Sequence, residues 1–349
     1  MPTIAVIPGD GVGKEVVDEA LRVLDRVSEL EGVRFEKVFY PFGGDHYLET
    51  GELMPASAFD EYKDMDAILL GAIGDPRVEV GVLERAIVGG IRWNLDMYIN
   101  LRPIKLYAEY LTPIKDKKPE DVDMVFVREN TEGLYIGIGG FFKKGTEDEV
   151  AIQQMVMTRK GVERVVRYAF ELARKRGRRK KLTMIDKANA LPAQEIWTRV
   201  FAEVGREYTD IAQDHAYIDA ACMWMVKNPE WFDVAVTGNM MGDIITDLGA
   251  AVQGGLGLAA SGNIHPGRVS MFEPIHGSAP KHAGRHVVCP LATISAAQLM
   301  CEHLGLGGAA ARIDGALSSA LTCGRIRSLS TSSGMKTEAY TDVVLSFLA

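Results

Sequence analysis

The chain has 349 residues, 47% hydrophobic and 25% charged, values of an ordinary globular protein able to bury one large core or two ordinary ones. No apolar run approaches the roughly 20 residues that span a bilayer. The formal charge of -8, from 39 basic and 47 acidic residues, disfavours non-specific nucleic-acid binding.

Met1-Pro2-Thr3 leads straight into an apolar run without the basic flank of a signal peptide. The four cysteines (Cys222, Cys289, Cys301, Cys323) lack metal-ligand spacing and read as reduced thiols, so a cytoplasmic protein is expected. An acidic protein repels a polycarboxylate at long range, and any site for one must hold a local cluster of arginines.

In chain order, Thr3–Pro8 reads as a buried strand and Gly9-Asp10-Gly11-Val12-Gly13 as a tight turn. Val16, Val17, Ala20, Leu21, Val23, Leu24 and Val27 then recur at helical spacing. Further short strands are expected at Ala67–Ala72, Asp123–Arg128, Lys181–Asp186 and Phe232–Thr237. Helices are expected between most of them, notably Gly161–Lys175 and Pro192–Val204. Strands alternating with helices predict an α/β fold with a largely parallel sheet. The basic run Arg174–Lys181 has no aromatic partners nearby and reads as a helix C-terminus running into an exposed turn, not as a nucleic-acid patch.

Several residues have chemistry to offer. Gly9-x-Gly11-x-Gly13 departs from the G-x-G-x-x-G fingerprint and no acidic residue closes a second strand at the expected offset, so it does not establish a dinucleotide site. Asp243 and Asp247 stand one helical turn apart. Such a pair suits Mg²⁺ or Mn²⁺ through hard oxygen ligands, or else it stabilises a helix N-terminus, and spacing alone leaves both open. Asp219 offers a third carboxylate. Arg92, Arg102 and Arg128 suggest carboxylate recognition, because the guanidinium fork binds carboxylates in bidentate fashion. Lys187 ends a strand in an apolar setting of the kind that makes a lysine a general base. Tyr135 lies in a loop after Glu129–Leu134. Glu273-Pro274-Ile275-His276-Gly277-Ser278-Ala279-Pro280 is the densest polar loop, of a kind that contacts ligands on a rigid scaffold.

Taken together, six segments resemble the β-decarboxylating dehydrogenases, the family of isopropylmalate, isocitrate, homoisocitrate and tartrate dehydrogenases. They are Ile7–Gly13, Asn100–Pro103, Val127–Gly133, Asp186–Asn189, Thr237–Asp247 and Phe272–Pro280. The resemblance implies a two-domain, non-Rossmann α/β fold. Residues 1–99 with 248–349 would form a large domain and 100–247 a small one, in a homodimer with shared sites. It implies NAD or NADP held by Val12, Asn189, Glu273, His276, Gly277, Ser278, Ala279, Lys281 and Cys289. It also implies Mg²⁺ or Mn²⁺ on Asp243 and Asp247, with Asp219 and Lys187 lent by the partner. Arg92, Arg102 and Arg128 would clamp the substrate carboxylates, Lys187 would be the base and Tyr135 the acid.

The chain departs from the pattern at two places. Substrate choice in the family rests on the helix before Arg92, where isopropylmalate enzymes place two leucines and this chain has Val88 and Gly89. The isocitrate positions hold Ala86 and Val88, and the homoisocitrate arginine is again Gly89. Isopropylmalate is therefore the leading substrate. A tartrate- or malate-like acid, or one with a bulkier or anionic γ-group, stays open, as does a non-catalytic subunit. Gly89-Gly90 predicts a wider pocket, a kink or both, with Arg85 entering the space. Lys281 stands where NAD-specific relatives carry aspartate and favours a 2′-phosphate. His282 replaces the tyrosine that usually follows, Cys289 replaces an adenine-binding asparagine, and Arg325 or Arg327 are candidate substitutes for the missing NADP contacts.

Overall fold

The computed structural model describes residues 1–348. Its strands are β1 (Thr3–Gly9), β2 (Glu36–Phe39), β3 (Ala67–Ala72), β4 (Ile99–Lys105), β5 (Asp123–Glu129), β6 (Gly139–Phe142), β7 (Val150–Gln153), β8 (Lys181–Asp186), β9 (Ala212–Tyr217), β10 (Val234–Thr237), β11 (Ala260–Ile264) and β12 (Ser270–Pro274). Ten of them form one mixed sheet in the order β2-β1-β3-β12-β11-β4-β5-β10-β8-β9, while β6 and β7 pair apart as a hairpin. Both flanks are parallel, as the βα alternation predicts. The middle is not: β12–β11, β11–β4 and β4–β5 are antiparallel.

Helices cover both faces of each flank, so the strands bury alternate side chains on opposite sides. Ile4, Val6 and Leu69 face the helices Gly13–Glu31, Leu291–His303 and Gly307–Thr322, while Ala5, Ile7, Ile68 and Leu70 face Tyr40, Tyr62, Leu83 and Ile87. On the other flank Val127, Leu182 and Val236 pack on the helices Arg159–Arg176 and Glu195–Gly205, and Phe126, Ile185 and Ala235 pack on Met225, Ile245 and Val252. The helix Gly13–Glu31 buries all seven residues expected from its periodicity. No helix among the described residues is long and apolar enough to cross a membrane.

Strand Phe232–Thr237 starts two residues later than expected, at Val234, because Pro229–Trp231 forms a 3₁₀ turn that runs up to it. Strands β2 and β9 escape the sequence pattern because they are sheet edges with largely exposed, polar sequences.

The basic run is the end of a helix, and four of its seven cations (Arg174, Arg176, Arg178 and Lys181) are paired within the chain. The helix Arg159–Arg176 stops at Gly177 in the left-handed conformation. Arg174 pairs with Asp210, Arg178 with Asp123, and Arg176 with both Asp123 and Asp233. Asp233 is fully buried and accepts from Arg176 Nε at 2.8 Å and from the Arg179 backbone N–H at 3.0 Å. Replacing it leaves those donors facing a void, so Asp233→Ala is expected to cost about 2–4 kcal/mol in urea unfolding. A loss under about 0.5 kcal/mol would show that the turn is held by Asp123 alone.

Candidate active site

Three arginines meet three carboxylates where the antiparallel middle of the sheet opens. Arg102 projects from β4 and Arg128 from β5, at 5% and 2% exposure. Arg92 lies in the short helix Gly90–Asn94. Arg128 is forked over Asn239 Oδ1 through Nε (3.0 Å) and Nη2 (2.8 Å), and its Nη1 is paired closely with Asp243. Arg102 donates to Asn100 Oδ1 (2.7 Å), Thr246 Oγ1 (2.7 Å) and Asp243 Oδ1 (3.3 Å), and lies 3.5 Å from Asp247. Arg92 Nη2 donates to Glu273 Oε1 at 2.8 Å.

Asp243 and Asp247 sit on one face of the helix Asn239–Gln253, as their spacing requires. Burial would raise the Asp243 pKa, but the charges of Arg128 and Arg102 and a hydrogen bond from Tyr135 outweigh it, so the carboxyl is held below the ordinary value. Asp247 is raised by burial and by its neighbour Asp243, against the pull of Arg102. Tyr135 Oη donates to Asp243 Oδ2 at 3.0 Å, and burial plus that carboxylate raises the phenol's pKa, keeping it protonated. The two oxygen-bearing carboxylates fit a hard divalent cation, which accepts oxygen ligands and few protein groups. The ion pairs made by Asp243 give it a role that the helix-terminus reading did not include.

Lys187 and Asp219 are placed elsewhere in the chain. Lys187 Nζ is paired with the Asp219 carboxylate, and the Lys187 backbone N–H donates to Gln194 Oε1 at 2.6 Å. The expected apolar setting for Lys187 is thus corrected: its ammonium is met by a carboxylate, on an exposed aspartate. Among the described residues no three His, Cys, Asp or Glu side chains converge on one metal position, so Asp219 does not join Asp243 and Asp247 within one chain.

The glycine turn after β1 and the polar loop after β12 form one unit. Val12 N–H donates to Ser278 O at 2.9 Å, and a Cβ on Gly11 (φ +53°) would stand 2.1 Å from that same oxygen. Buried Asp10 ties the unit to its neighbours by accepting from Gly44 N–H (2.6 Å) and Gly74 N–H (2.9 Å). The Val12 side chain packs inward on Val16 and Val288. Nδ1 of His276 lies 3.0 Å from Gly277 O, while its buried Nε2 has no partner; burial lowers its pKa, so the ring is neutral. A buried ring nitrogen without a partner beside an open glycine fits a nucleotide hydroxyl or amine.

Asn189 and Lys281 are exposed, and no ion pair engages Lys281 among the described residues. Cys289 faces inward, its thiol 3.6 Å from Gly257 O and pushed up to about 12 by burial. It offers no side chain to a ligand outside the core. Arg325 is committed to Ser346 and the Phe347 ring, which removes one candidate for the NADP contact.

The segment before Arg92 departs from expectation. Residues Arg85–Gly89 form a single π turn between two α-helical stretches, an irregularity that often marks functional helices. The vacancy expected over Gly89 is filled. A Cβ there would lie 2.8 Å from Cζ3 of Trp93, one turn on, so the indole lies where a leucine side chain would start. Val88 remains as half-buried apolar surface. Arg85 does not enter the gap but lies against Gly137, just beyond Tyr135. Sequence reasoning missed Trp93, and it gave no role to Asn100, Asn130, Asn239 or Asn263, whose polar side chains inside apolar strand patterns were the available signal.

A mixed α/β sheet with an arginine–carboxylate cleft beside a glycine-rich loop defines an anion-handling enzyme whose site draws on many strands. The family model for isocitrate/isopropylmalate dehydrogenase matches residues 3–344, and the chain belongs to that family of dehydrogenases. It is 52% identical over 317 residues to the 3-isopropylmalate dehydrogenase of Thermobifida fusca, covering 90% of this chain and 89% of that one. The Mycobacterium avium 3-isopropylmalate dehydrogenase is also 52% identical, with 90% and 92% covered. Among solved structures, isocitrate dehydrogenase from Methylococcus capsulatus superposes with TM-score 0.90 at 36% identity, over 100% of this chain and 99% of that one.

Filling the Gly89 position tests the packing. Gly89→Leu is expected to destabilise the protein by about 1–3 kcal/mol through overpacking against Trp93, although leaving glycine should favour the helix by about 1 kcal/mol. Adding Trp93→Ala should reverse the sign. A stabilised single variant would mean that the indole does not rest on Gly89.

Proposed function

We propose that the protein oxidises and decarboxylates 3-isopropylmalate to 4-methyl-2-oxopentanoate, using a divalent cation and NAD or NADP. The observation that carries this reading is the convergence of Arg92, Arg102 and Arg128 on Asp243, Asp247 and Glu273, in a chain half identical to curated isopropylmalate enzymes. Three cationic and three anionic groups leave the cleft near neutrality. A dicarboxylate alone or a dication alone would upset that balance, and the two together would preserve it, so metal and substrate should bind as a pair.

In this reading the arginines orient the two carboxylates of the substrate. Asp243 and Asp247, with the partner subunit's Asp219, would hold Mg²⁺ or Mn²⁺. When bound, the cation supplies Lewis-acid stabilisation of charge developing on the 2-oxygen, and the nicotinamide supplies the hydride acceptor. With the partner's Asp219 drawn onto the cation, the partner subunit's Lys187 would be released from its ion pair and, in its neutral amine form, would take the hydroxyl proton as hydride leaves C2 for the nicotinamide. Loss of CO₂ then places an electron pair on C3, and Tyr135, kept protonated by its raised pKa, donates a proton there.

Two further features support a shared-site dimer. Lys187 and Asp219 stand together but apart from Asp243. The hairpin β6–β7 exposes Phe141, Phe142, Val150 and Ile152, an apolar patch of the kind that a second copy covers. We read residues 1–99 with 248–349 as the cofactor-side lobe and 100–247 as the other, joined through the continuous sheet and the helix Asn239–Gln253. The exposed ammonium of Lys281 suits a 2′-phosphate, while Arg325 is engaged by Ser346 and Phe347, so the assay covers both NAD and NADP.

Purified protein should reduce nicotinamide cofactor with 3-isopropylmalate and Mn²⁺ or Mg²⁺, when NAD and NADP are crossed against isopropylmalate, isocitrate, homoisocitrate, tartrate and malate. Turnover confined to another acid would overturn the substrate, and silence on all would overturn the reaction class. Mixing Lys187→Ala chains with Asp243→Ala chains should restore activity through heterodimers carrying one intact site. No recovery despite proven subunit exchange would sink the shared site.

A further inference from the structure

Two of the arginines that meet in the cleft come from different parts of the chain, and a single side chain connects them. Asn263, on β11, is fully buried at the antiparallel seam. Its Oδ1 accepts from Asn100 Nδ2 on β4 and from Asn130 Nδ2 beyond β5, each at 2.9 Å. Its Nδ2 donates to Glu273 Oε1 on β12 at 2.7 Å. That same oxygen accepts from Arg92, and Asn100 Oδ1 accepts from Arg102 Nε at 2.7 Å. An unbroken chain of hydrogen bonds therefore runs from Arg92 through Glu273, Asn263 and Asn100 to Arg102.

The second arm fixes the backbone of Arg92. Asn130 Nδ2 also donates to Met97 O at 2.9 Å, and Met97 N–H donates to Arg92 O at 2.8 Å. Asn263 thus touches both routes by which Arg92 is placed. A carboxamide suits this position because it offers an acceptor with two lone pairs on one side and donors on the other. A carboxylate there would keep the two accepted bonds but face Glu273 charge to charge.

We propose that Asn263 is a positioning residue that sets the spacing between Arg92 and Arg102, and so the fit of the cleft to a substrate with two carboxylates. The inference rests on the reading of these arginines as a carboxylate clamp. Asn263 would touch neither substrate nor cofactor. Its loss should weaken substrate binding and leave the chemical step nearly intact.

The test is the isosteric Asn263→Asp, assayed on the acid that the wild type turns over best. At pH 8 its KM for that acid should rise about tenfold or more, equivalent to about 1.4 kcal/mol, with kcat within about threefold. Lowering the pH toward 6 shifts the new carboxyl toward its protonated form, which again donates to Glu273 as the carboxamide did. The KM defect relative to wild type should then shrink, which a merely structural lesion would not do.

A folded variant with wild-type KM at pH 8, or a defect that ignores pH, overturns the proposal. If Asn263→Asp does not fold by circular dichroism, the cycle of Asn263→Ala, Asn100→Ala and their double variant replaces it. Their effects on KM should be strongly less than additive, and additive effects would refute the relay. Wild-type protein inactive on every acid would instead bring down the clamp reading itself.

Discussion

Burying guanidinium groups is expensive, and two of the three in this cleft are nearly sealed from solvent. Burial and mutual repulsion both disfavour the charged forms of Arg102 and Arg128, and Asp243 opposes them. The surrounding polar network follows from that cost. Asn239 receives one fork, Asn100 and Thr246 receive the other, and Asp243 and Glu273 supply negative charge. Remove a partner and a charged group is left buried and unpaired. The cleft is therefore rigid for an electrostatic reason, and a rigid set of donors is what a polycarboxylate needs to be recognised over water.

The antiparallel middle of the sheet is what makes this arrangement reachable. Parallel flanks bury apolar residues on both faces, and their buried carboxylates, Asp186 and Asp233, sit at strand ends. Where β12, β11, β4 and β5 run antiparallel, polar side chains from four strands meet in one layer: Glu273, Asn263, Asn100 and Arg102, with Arg128 beside them. The glycine turn after β1 and the loop after β12 open on the same side, because β1, β3 and β12 are adjacent and parallel. The loop after β12 and the anion cleft are thus neighbours through sheet order, and Glu273, at the end of β12, borders both. The π turn at Arg85–Gly89 brings Trp93 against a glycine, so the surface there differs from one built of two leucines.

The sequence by itself determined much. Period-3.6 and apolar strand patterns placed β1, β3, β5 and β8 and their helices, because those elements are buried and their periodicity is strong. The ordered motifs placed the chain in its family and picked out Arg92, Arg102, Arg128, Asp243, Asp247 and Tyr135, which the fold brings into one cleft. Spacing along one helix was enough for Asp243 and Asp247, since a turn of helix fixes their separation.

Only the tertiary structure decided the rest. Lys187 could be read as sitting in apolar surroundings because it follows a buried apolar strand, yet its ammonium pairs with Asp219, 32 residues away. Gly89 could be read as empty space because glycine lacks a side chain, yet the space belongs to whichever neighbour reaches it first, and Trp93 does. The asparagines carried no signal beyond being polar in apolar company; their meaning lies in strand order, which places positions 100 and 263 opposite one another. Local patterns report what a residue needs, while packing between distant segments decides which neighbour supplies it.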